Sequence, residues 1–238
     1  MSQGQYPYPT YPTARAARGT SAIDARARFI VRTYNHLFAA ILAFAALEVG
    51  LFMSGMAQVI AVAMLSTNWL LVLGGFLVAG WLARAWALRS ESLAMQYLGL
   101  AAYVVAEAII FVPLLYIAEQ VAPGTIRSAA TVTLLGFGGL TAVAFVTRKD
   151  FSFLRGVLMW GGIAALVLIV AGVLFGLELG TFFSVAMVAL AGAAVLYDTS
   201  HIIRDYPQDR YVGAALELFA SIALMFWYVI RIFLSARD

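Results

Sequence analysis

The chain has 238 residues, of which 63% belong to the apolar set and only 11% are charged. A typical soluble domain is about 45–50% apolar and about 25% charged, so a water-soluble fold of this size is excluded. Cysteine is absent, which excludes disulfides, thiolate metal sites and cysteine nucleophiles. The two histidines, His36 and His201, are far apart in sequence and too few to form a zinc site without carboxylate ligands.

The first 22 residues differ in composition from the rest of the chain. Residues 1–22 hold three of the six prolines, interleaved with tyrosine, serine and threonine. This composition does not build a core, so we predict a disordered cytoplasmic tail ahead of a membrane domain over residues 23–238. No apolar run follows the early arginines, so we do not expect a secretory signal peptide. The alternating Tyr-Pro repeat at residues 6–9 is either a docking motif or part of a solvated leader.

Seven apolar runs follow the tail, at residues 33–53, 68–88, 93–117, 128–147, 154–175, 180–203 and 211–234. Each approaches the ~20 residues that a helix needs to cross a hydrocarbon core of ~30 Å. Only helices or closed barrels satisfy the backbone in lipid, and the alternating pattern of a barrel is missing. We therefore predict an all-α integral membrane protein, a bundle of seven transmembrane helices. Residues 55–65 are too short to span and are predicted to form a surface helix or to extend the first joint.

The lysines and arginines are distributed unevenly over the joints. Twelve of the fifteen fall on the side that holds the tail and the second, fourth and sixth joints. The other three are Arg127, Arg231 and Arg237. Because positive charge marks the cytoplasmic side, we predict seven spans with a cytoplasmic N-terminus. A six-span arrangement would place the C-terminal arginines inside as well. The basic balance is a topology signal, and no nucleic-acid partner is expected.

Four acidic residues fall inside the predicted spans: Glu48, Glu107, Asp198 and Glu217. Ionisable residues in a span are costly, so each is a candidate for function. The helix rise places Asp198 and Glu217 at the same depth, ~9 Å from the cytoplasmic edge, on helices joined by a short loop. Two carboxylates held close do not both ionise cheaply, so this pair is predicted to be a proton-sensitive element.

Further polar residues extend this prediction. Glu107 and Glu48 lie ~21–22 Å from the same edge and are predicted to form a second acidic level of a cation or proton path. Alternatively, each is a protonated buried group bonded to a neighbouring helix. His201, one turn after Asp198, either shares its proton or is an ordinary interfacial histidine. Arg84, at the end of the second span, either pairs with Asp198 or serves topology alone.

Four motifs resemble the signature of the Bax inhibitor-1 family. They are AVLYDTSHII at residues 194–203, YVGAALELF at 211–219, TRKDFSF at 147–153 and FIVRTY at 29–34. The resemblance runs from about residue 27 to residue 234. It implies a bacterial inner-membrane bundle in which a central last helix is wrapped by the other six. It also implies a pH-sensitive calcium leak gated by two aspartates, one on each of the last two helices.

The resemblance assigns the gate to particular positions. The first gate aspartate corresponds to Asp198, but the second corresponds to Ser221, which accepts a hydrogen bond and holds no charge. Glu217 lies one turn before Ser221 on the same face and is predicted to replace the missing acid. The predicted gate therefore comprises Asp198, Glu217, Ser221 and His201, with Glu107 and Glu48 along the path and Arg84 as a counter-charge.

Three function classes follow from these observations. We predict a passive, proton-modulated leak of calcium or another cation, without a cofactor, because calcium prefers several carboxylate and carbonyl oxygens. The alternative, implied by the resemblance, is a non-catalytic regulator that binds and restrains a membrane-anchored ATP-dependent protease through the tail. An intramembrane enzyme is disfavoured. Asp198, His201 and Ser221 supply the residue types of a hydrolytic triad, but no glycine-flanked nucleophile motif surrounds the serine.

Overall fold

A computed structural model describes the backbone of residues 14–236 and the side chains of residues 23–236. Within this range the chain forms eight helices and no strand. They are α1 (Ala14–Met53), α2 (Met56–Leu65), α3 (Trp69–Arg89), α4 (Leu93–Val121), α5 (Thr125–Thr147), α6 (Leu154–Phe175), α7 (Gly180–Arg204) and α8 (Tyr211–Ser235). Seven of them are long and apolar enough to cross a membrane, and α2 is not. The predicted all-α bundle of seven spans is confirmed.

The predicted span boundaries agree with the helices to within four residues, except at the first span. The apolar part of α1 is Ile23–Met53, ten residues longer than predicted, and its backbone helix begins at Ala14. This start is rich in alanine and arginine, which favour a helix, while the arginines lower its mean hydropathy. Residues 14–22 of the predicted tail therefore continue α1. Residues 1–13 lie outside the described part of the chain, and the domain boundary at residue 22 stays a prediction.

The short helix α2 joins the ends of α1 and α3 on one side of the bundle. Gly55 precedes it in the left-handed conformation, with φ of 75°, which lets the chain turn sharply after α1. The buried side of α2, Ala57 and Ala61, packs on Val112 of α4. Of the two alternatives for residues 55–65, the structure therefore supports a separate helix that does not cross the membrane.

The last helix, α8, lies at the centre of the bundle. Fifteen of its 25 residues are buried, and it packs against α1, α3, α4, α5 and α7. A Cβ atom at Gly213 would lie 3.0 Å from the carbonyl oxygen of Ala87, so glycine lets α8 approach α3 closely. The predicted central position is confirmed, with one correction. Five of the other six spans wrap α8, whereas the backbone of α6 comes close only to α7 and α3.

The two ends of the bundle differ in charge. The basic end is the end of the bundle at which α1, α4, α6 and α8 begin and at which α3, α5 and α7 end. The other end is called the opposite end. At the basic end, Arg210 donates to the carbonyl oxygens of Leu88 and Ser90 at 3.0 and 2.8 Å, which ties the α7–α8 joint to the end of α3. At the opposite end, Thr181 Oγ1 donates to Ser235 Oγ at 2.9 Å and joins α7 to α8.

Candidate functional site

The predicted gate positions on α7 and α8 are in direct contact. Ser221 Oγ donates a hydrogen bond to Oδ2 of Asp198 at 2.7 Å. Ser221 is buried and Asp198 is half-buried. Two carboxyl groups would have to share a proton to make such a contact, but a serine hydroxyl donates to an ionised aspartate directly. The serine therefore allows the contact between α7 and α8 to form without protonation.

Glu217 lies near Asp198 but is not its hydrogen-bond partner among the described side chains. Its carboxylate lies next to the hydroxyl of Tyr206, and Arg84 and His201 are also close to it. The charges of Glu217 and Asp198 still influence each other through space. The predicted pair of acids is thus brought into one neighbourhood, while the direct contact with Asp198 is made by Ser221.

Tyr206 is the buried residue of the joint between α7 and α8, outside the membrane spans. Its ring stacks on Phe29 of α1 with centroids 6.0 Å apart, and His201 meets it edge-on at 5.1 Å. Arg26 of α1 donates to its carbonyl oxygen at 2.6 Å. Burial raises the pKa of the Tyr206 hydroxyl above its usual range, and the negative charge of Glu217 raises it further. The hydroxyl therefore stays protonated at neutral pH beside the glutamate.

Arg84 is the positive centre of a group of side chains that we call the acid cluster. Its other members are Asp198, Glu217 and Glu107. Its guanidinium donates to Tyr103 Oη at 3.4 Å and lies 5.3 Å from the centre of the Tyr103 ring. Tyr103 in turn lies next to Glu107, one turn further along α4. Arg84 forms no ion pair with a described carboxylate, although Asp198 and Glu217 are close enough to feel its charge. Three acids from α4, α7 and α8 therefore surround one arginine from α3.

A cavity of about 730 Å³ extends from this cluster toward the opposite end of the bundle. Arg84, Tyr103 and Glu107 line its inner end, and its walls come from α3, α4, α6, α7 and α8. Glu107 is 6% exposed and lines this cavity. One acid of the predicted path thus faces a cavity inside the bundle.

Glu48 stands apart from the other acids. It is 7% exposed, and neither of its carboxylate oxygens has a hydrogen-bond partner among the described residues. The structure therefore places Glu107, but not Glu48, beside Arg84 and the cavity. Over residues 23–236, no three acidic or histidine side chains converge as a metal site.

Sequence reasoning missed Tyr103, Tyr206 and Arg26. Tyr103 had a signal, because it lies one turn before Glu107 on the same helix face. Tyr206 and Arg26 had none, since their contact joins residues 180 positions apart along the chain.

A family model matches this chain over most of its length, and individual known proteins match it over about half. The family model described as inhibitor of apoptosis-promoting Bax1 matches residues 26–238. The Escherichia coli protein named modulator of FtsH protease YccA is 32% identical over 108 residues, which cover 44% of this chain and 49% of that protein. An uncharacterized protein of Pseudomonas aeruginosa is 36% identical over 111 residues, which cover 45% and 49%.

A third relative, an uncharacterized membrane protein of Vibrio cholerae, is 28% identical over 124 residues, or 49% of this chain and 52% of that protein. The chain therefore spans about half the length of the curated relatives it matches. The family match covers nearly the whole chain and agrees with the resemblance found in the motifs. This multi-pass membrane protein belongs to the Bax inhibitor-1 family.

Proposed function

We propose that this protein is a non-catalytic modulator of a membrane-anchored ATP-dependent protease, located in a bacterial inner membrane with its N-terminus in the cytoplasm. The observation that carries the proposal is the similarity to the Escherichia coli relative named modulator of FtsH protease. Because that alignment covers about half of each chain, the partner is proposed as a class of protease and not as a particular enzyme.

The basic end supports this proposal because hydrogen bonds hold its segments together as one surface that a partner can bind. Arg26 donates to the carbonyl oxygens of Tyr206, Arg204 and Ile202, at 2.6, 3.1 and 3.4 Å, and so fastens α1 to the end of α7. Arg204 also pairs with Asp150 of the α5–α6 joint at 2.9 Å. Helix α1 begins at this end of the bundle, so a partner that binds the tail is placed to meet the joints as well.

Reconstitution with a membrane-anchored ATP-dependent protease and a membrane substrate tests the proposal. We expect the full chain to lengthen the lifetime of the substrate. Deleting residues 2–13 leaves the described helix α1 intact and is expected to restore degradation. Asp198→Asn is the matched control, because it keeps the tail and is expected to keep the inhibition. An unchanged substrate lifetime with the full chain would refute the proposal, and full inhibition by the deleted chain would refute the role of the tail.

A second candidate function, a calcium leak, is favoured by the acids around Arg84. Three acidic side chains, Asp198, Glu217 and Glu107, lie around a single arginine, and Glu107 lines the cavity. Acidic side chains along a path attract cations, and calcium prefers oxygen ligands. We propose the hydrogen bond between Ser221 and Asp198 as the contact that holds this path shut.

Calcium flux into liposomes of defined pH tests the second function. Ser221→Ala removes the closing contact and is expected to raise flux at every pH. Ser221→Asp places two carboxyl groups face to face, so closure comes to require a shared proton and flux is expected to fall steeply on acidification. Asp198→Asn is expected to lower calcium entry. If all three variants reproduce the flux and pH profile of the natural chain, this gate does not exist.

A further inference from the structure

The cavity beside the acid cluster is open toward the lipid-facing surface of the bundle. Its volume of about 730 Å³ lies within the range of about 300–1,000 Å³ that is usual for ligand sites. Its lining along α3 runs from Trp69 to Arg84, fifteen residue steps, or about 22 Å. One leaflet contributes about 15 Å of hydrocarbon, so the cavity is deep enough for an acyl chain. Leu77 and Leu166 line it from α3 and α6 and are 45% and 39% exposed, so it is not sealed from lipid.

The middle of the cavity is apolar. The side chains that line it there include Leu73, Phe76, Ile169, Leu190 and Leu224. Apolar cavities do not hold ordered water, so the filler that a membrane offers is hydrocarbon. A lipid tail finds nearly the same surroundings in the bilayer as between these side chains, so transfer of the tail alone gives little specificity. Selective binding has to come from the headgroup.

The opposite end of the cavity has groups that match a headgroup. Arg231 of α8 and Glu178 of the α6–α7 joint line it there, and the hydrogen bond between Thr181 and Ser235 holds their segments together. No ion pair joins the two within the described part of the chain. Gly180, the first residue of α7, lines the same end, where free N–H groups favour phosphate. Arginine matches a phosphate with two parallel hydrogen bonds, and a nearby carboxylate matches an ammonium group.

We propose that this cavity binds one glycerophospholipid with an amine-bearing headgroup. The acyl chain lies between α3 and α6, the phosphate contacts Arg231, and the ammonium group contacts Glu178. Trp69 and Trp227 stack with centroids 6.4 Å apart and line the cavity near the same end. Tryptophan is enriched at the depth of lipid headgroups, so this pair agrees with a headgroup at that end.

The proposed lipid bears on the acid cluster. Because Arg84 and Glu107 line the inner end of the cavity, an acyl chain seated there separates them from water at the opposite end. A cation path through the cluster then opens toward that end only when the chain leaves. The lipid site itself depends neither on protease inhibition nor on cation flux.

Native mass spectrometry of the full chain, released from nanodiscs of defined composition, tests the site. Phosphatidylethanolamine and phosphatidylglycerol are the two probes, mixed in equal amounts. We expect one phosphatidylethanolamine to stay bound per chain, in preference to phosphatidylglycerol. Equal retention of both probes would overturn the assignment of the amine to Glu178.

A side chain that fills the cavity tests where the lipid lies. Gly162 of α6 lines the cavity, and no atom lies within 4 Å of the position its Cβ would take, so Gly162→Phe places a ring in open space. Gly156→Phe is the matched control on the same helix, with equally open surroundings outside the cavity. We expect Gly162→Phe to lose most of the bound lipid and Gly156→Phe to keep it. Retention of lipid by a folded Gly162→Phe chain would refute the site.

Two charge variants test the headgroup and need no change in packing. Arg231→Gln is expected to weaken lipid binding roughly tenfold, the effect of losing one charge-assisted hydrogen bond. Arg127→Gln, at the same end of the bundle but outside the cavity, is its control and is expected to change nothing. Glu178→Gln is expected to abolish the preference for phosphatidylethanolamine. Unchanged binding by Arg231→Gln would refute the phosphate contact.

Discussion

The helices α8 and α6 are both membrane spans of similar length, yet they are packed very differently. In the most apolar stretch of each, 56% of the residues of α8 are buried against 6% of those of α6, although α6 is the more apolar helix. In lipid, an apolar side chain gains little from burial, because lipid tails are as apolar as leucine. Mean hydropathy therefore does not decide which span lies at the centre.

The same difference separates the two candidate sites. Glu217 and Ser221 need polar partners, which other helices supply and lipid does not, so the helix that carries them is held inside the bundle. The interior of α6 carries no ionisable residue, and Ala165 is its only buried residue. We call α8 and the helices that wrap it the packed side, and the surroundings of α6 the loose side. The packed side thus holds the acid cluster, while the loose side leaves a cavity open to lipid.

The largest expected effect comes from crowding the packed side. A Cβ atom at Gly99 of α4 would lie 2.6 Å from both the carbonyl oxygen of Ala83 and the amide nitrogen of Ala87 on α3. Backbone atoms have no rotamer by which to move away, so the two helices must separate. We expect Gly99→Ala to lower the free energy of unfolding by about 3 kcal/mol, near the top of the range for overpacking. Thermal unfolding in detergent measures the change.

The matched change on the loose side is Gly162→Ala of α6. No atom lies within 4 Å of the Cβ position there. Alanine favours a helix over glycine by ~0.5–1 kcal/mol, so we expect the stability to stay unchanged or to rise slightly. Similar losses from both variants would break the contrast between the two sides.

The second effect concerns Arg26, which ties α1 to the end of α7 and to the joint that follows it. Arg26→Gln loses charged hydrogen bonds to three carbonyl oxygens, the shortest being 2.6 Å to that of Tyr206. We expect a loss of about 2 kcal/mol in the free energy of unfolding, typical of hydrogen bonds made by a charged donor. Arg28→Gln, at an exposed position on the same helix, is the control and is expected to cost little. Equal losses would show that the effect is one of net charge and not of the hydrogen bonds.

Tyr206→Phe is expected to have a smaller effect with a distinct pH dependence. Losing the hydroxyl beside Glu217 is expected to cost about 1 kcal/mol at neutral pH. Burial raises the pKa of Tyr206, so the folded chain keeps a proton that the unfolded chain releases above pH ~10. The stability that this proton confers is therefore complete below pH ~10 and is lost as the pH rises further.

The Tyr206→Phe variant has no hydroxyl proton at this position. Its stability should therefore decline less steeply than that of the natural chain in alkaline solution. Unfolding measured from pH 7 to pH 11 checks the slope, with Tyr116→Phe as the control for loss of a hydroxyl elsewhere. Parallel alkaline slopes for Tyr206→Phe and the natural chain would mean that this tyrosine does not hold its proton through burial.

The sequence predicts the spans and the depth of the acids, because both follow from the fixed rise of a helix. Counting residues places Asp198 and Glu217 at one level, and the structure indeed brings them near each other. The helix rise does not fix the axial offset of two neighbouring helices to within one turn, and the contact with Asp198 is made by Ser221, one turn deeper than Glu217 on the same face of α8. Depth also does not predict how a helix is rotated about its axis, so the isolation of Glu48 was not predictable from the sequence.

Features that depend on distant parts of the chain left no pattern to recognise. Arg26 reaches a carbonyl oxygen 180 residues away, and neither residue type marks the contact in advance. The cavity exists because α6 fails to pack closely against α8, which its uniformly apolar composition does not reveal. The Bax inhibitor-1 motifs predicted the gate positions on α7 and α8 but could not reveal the loose side of the bundle.

The smallest effect is expected at Asp150, which ties the joint before α6 to the end of α7. The backbone N–H of Ser152 donates to Asp150 Oδ1 at 2.8 Å, and Arg204 pairs with Oδ2 at 2.9 Å. The hydrogen bond from Ser152, and then the charge of Arg204, hold the pKa of Asp150 below its usual range. A lowered pKa in the folded state adds stability above pH ~3.9, which is lost as the pH falls through the folded value.

Asp150→Asn keeps an acceptor for Ser152 and removes the ion pair with Arg204. Both partners of that pair are well exposed, at 51% and 36%, so solvent and salt screen it and the loss at neutral pH should be small. The difference from the natural chain should shrink further in high salt and vanish near pH ~2, where the natural carboxylate is protonated as well. Thermal unfolding at the two pH values, with and without salt, measures it. A loss as large as that of Arg26→Gln would mean that the joint before α6 is held to α7 as firmly as α1 is, and the division into a packed and a loose side would fail.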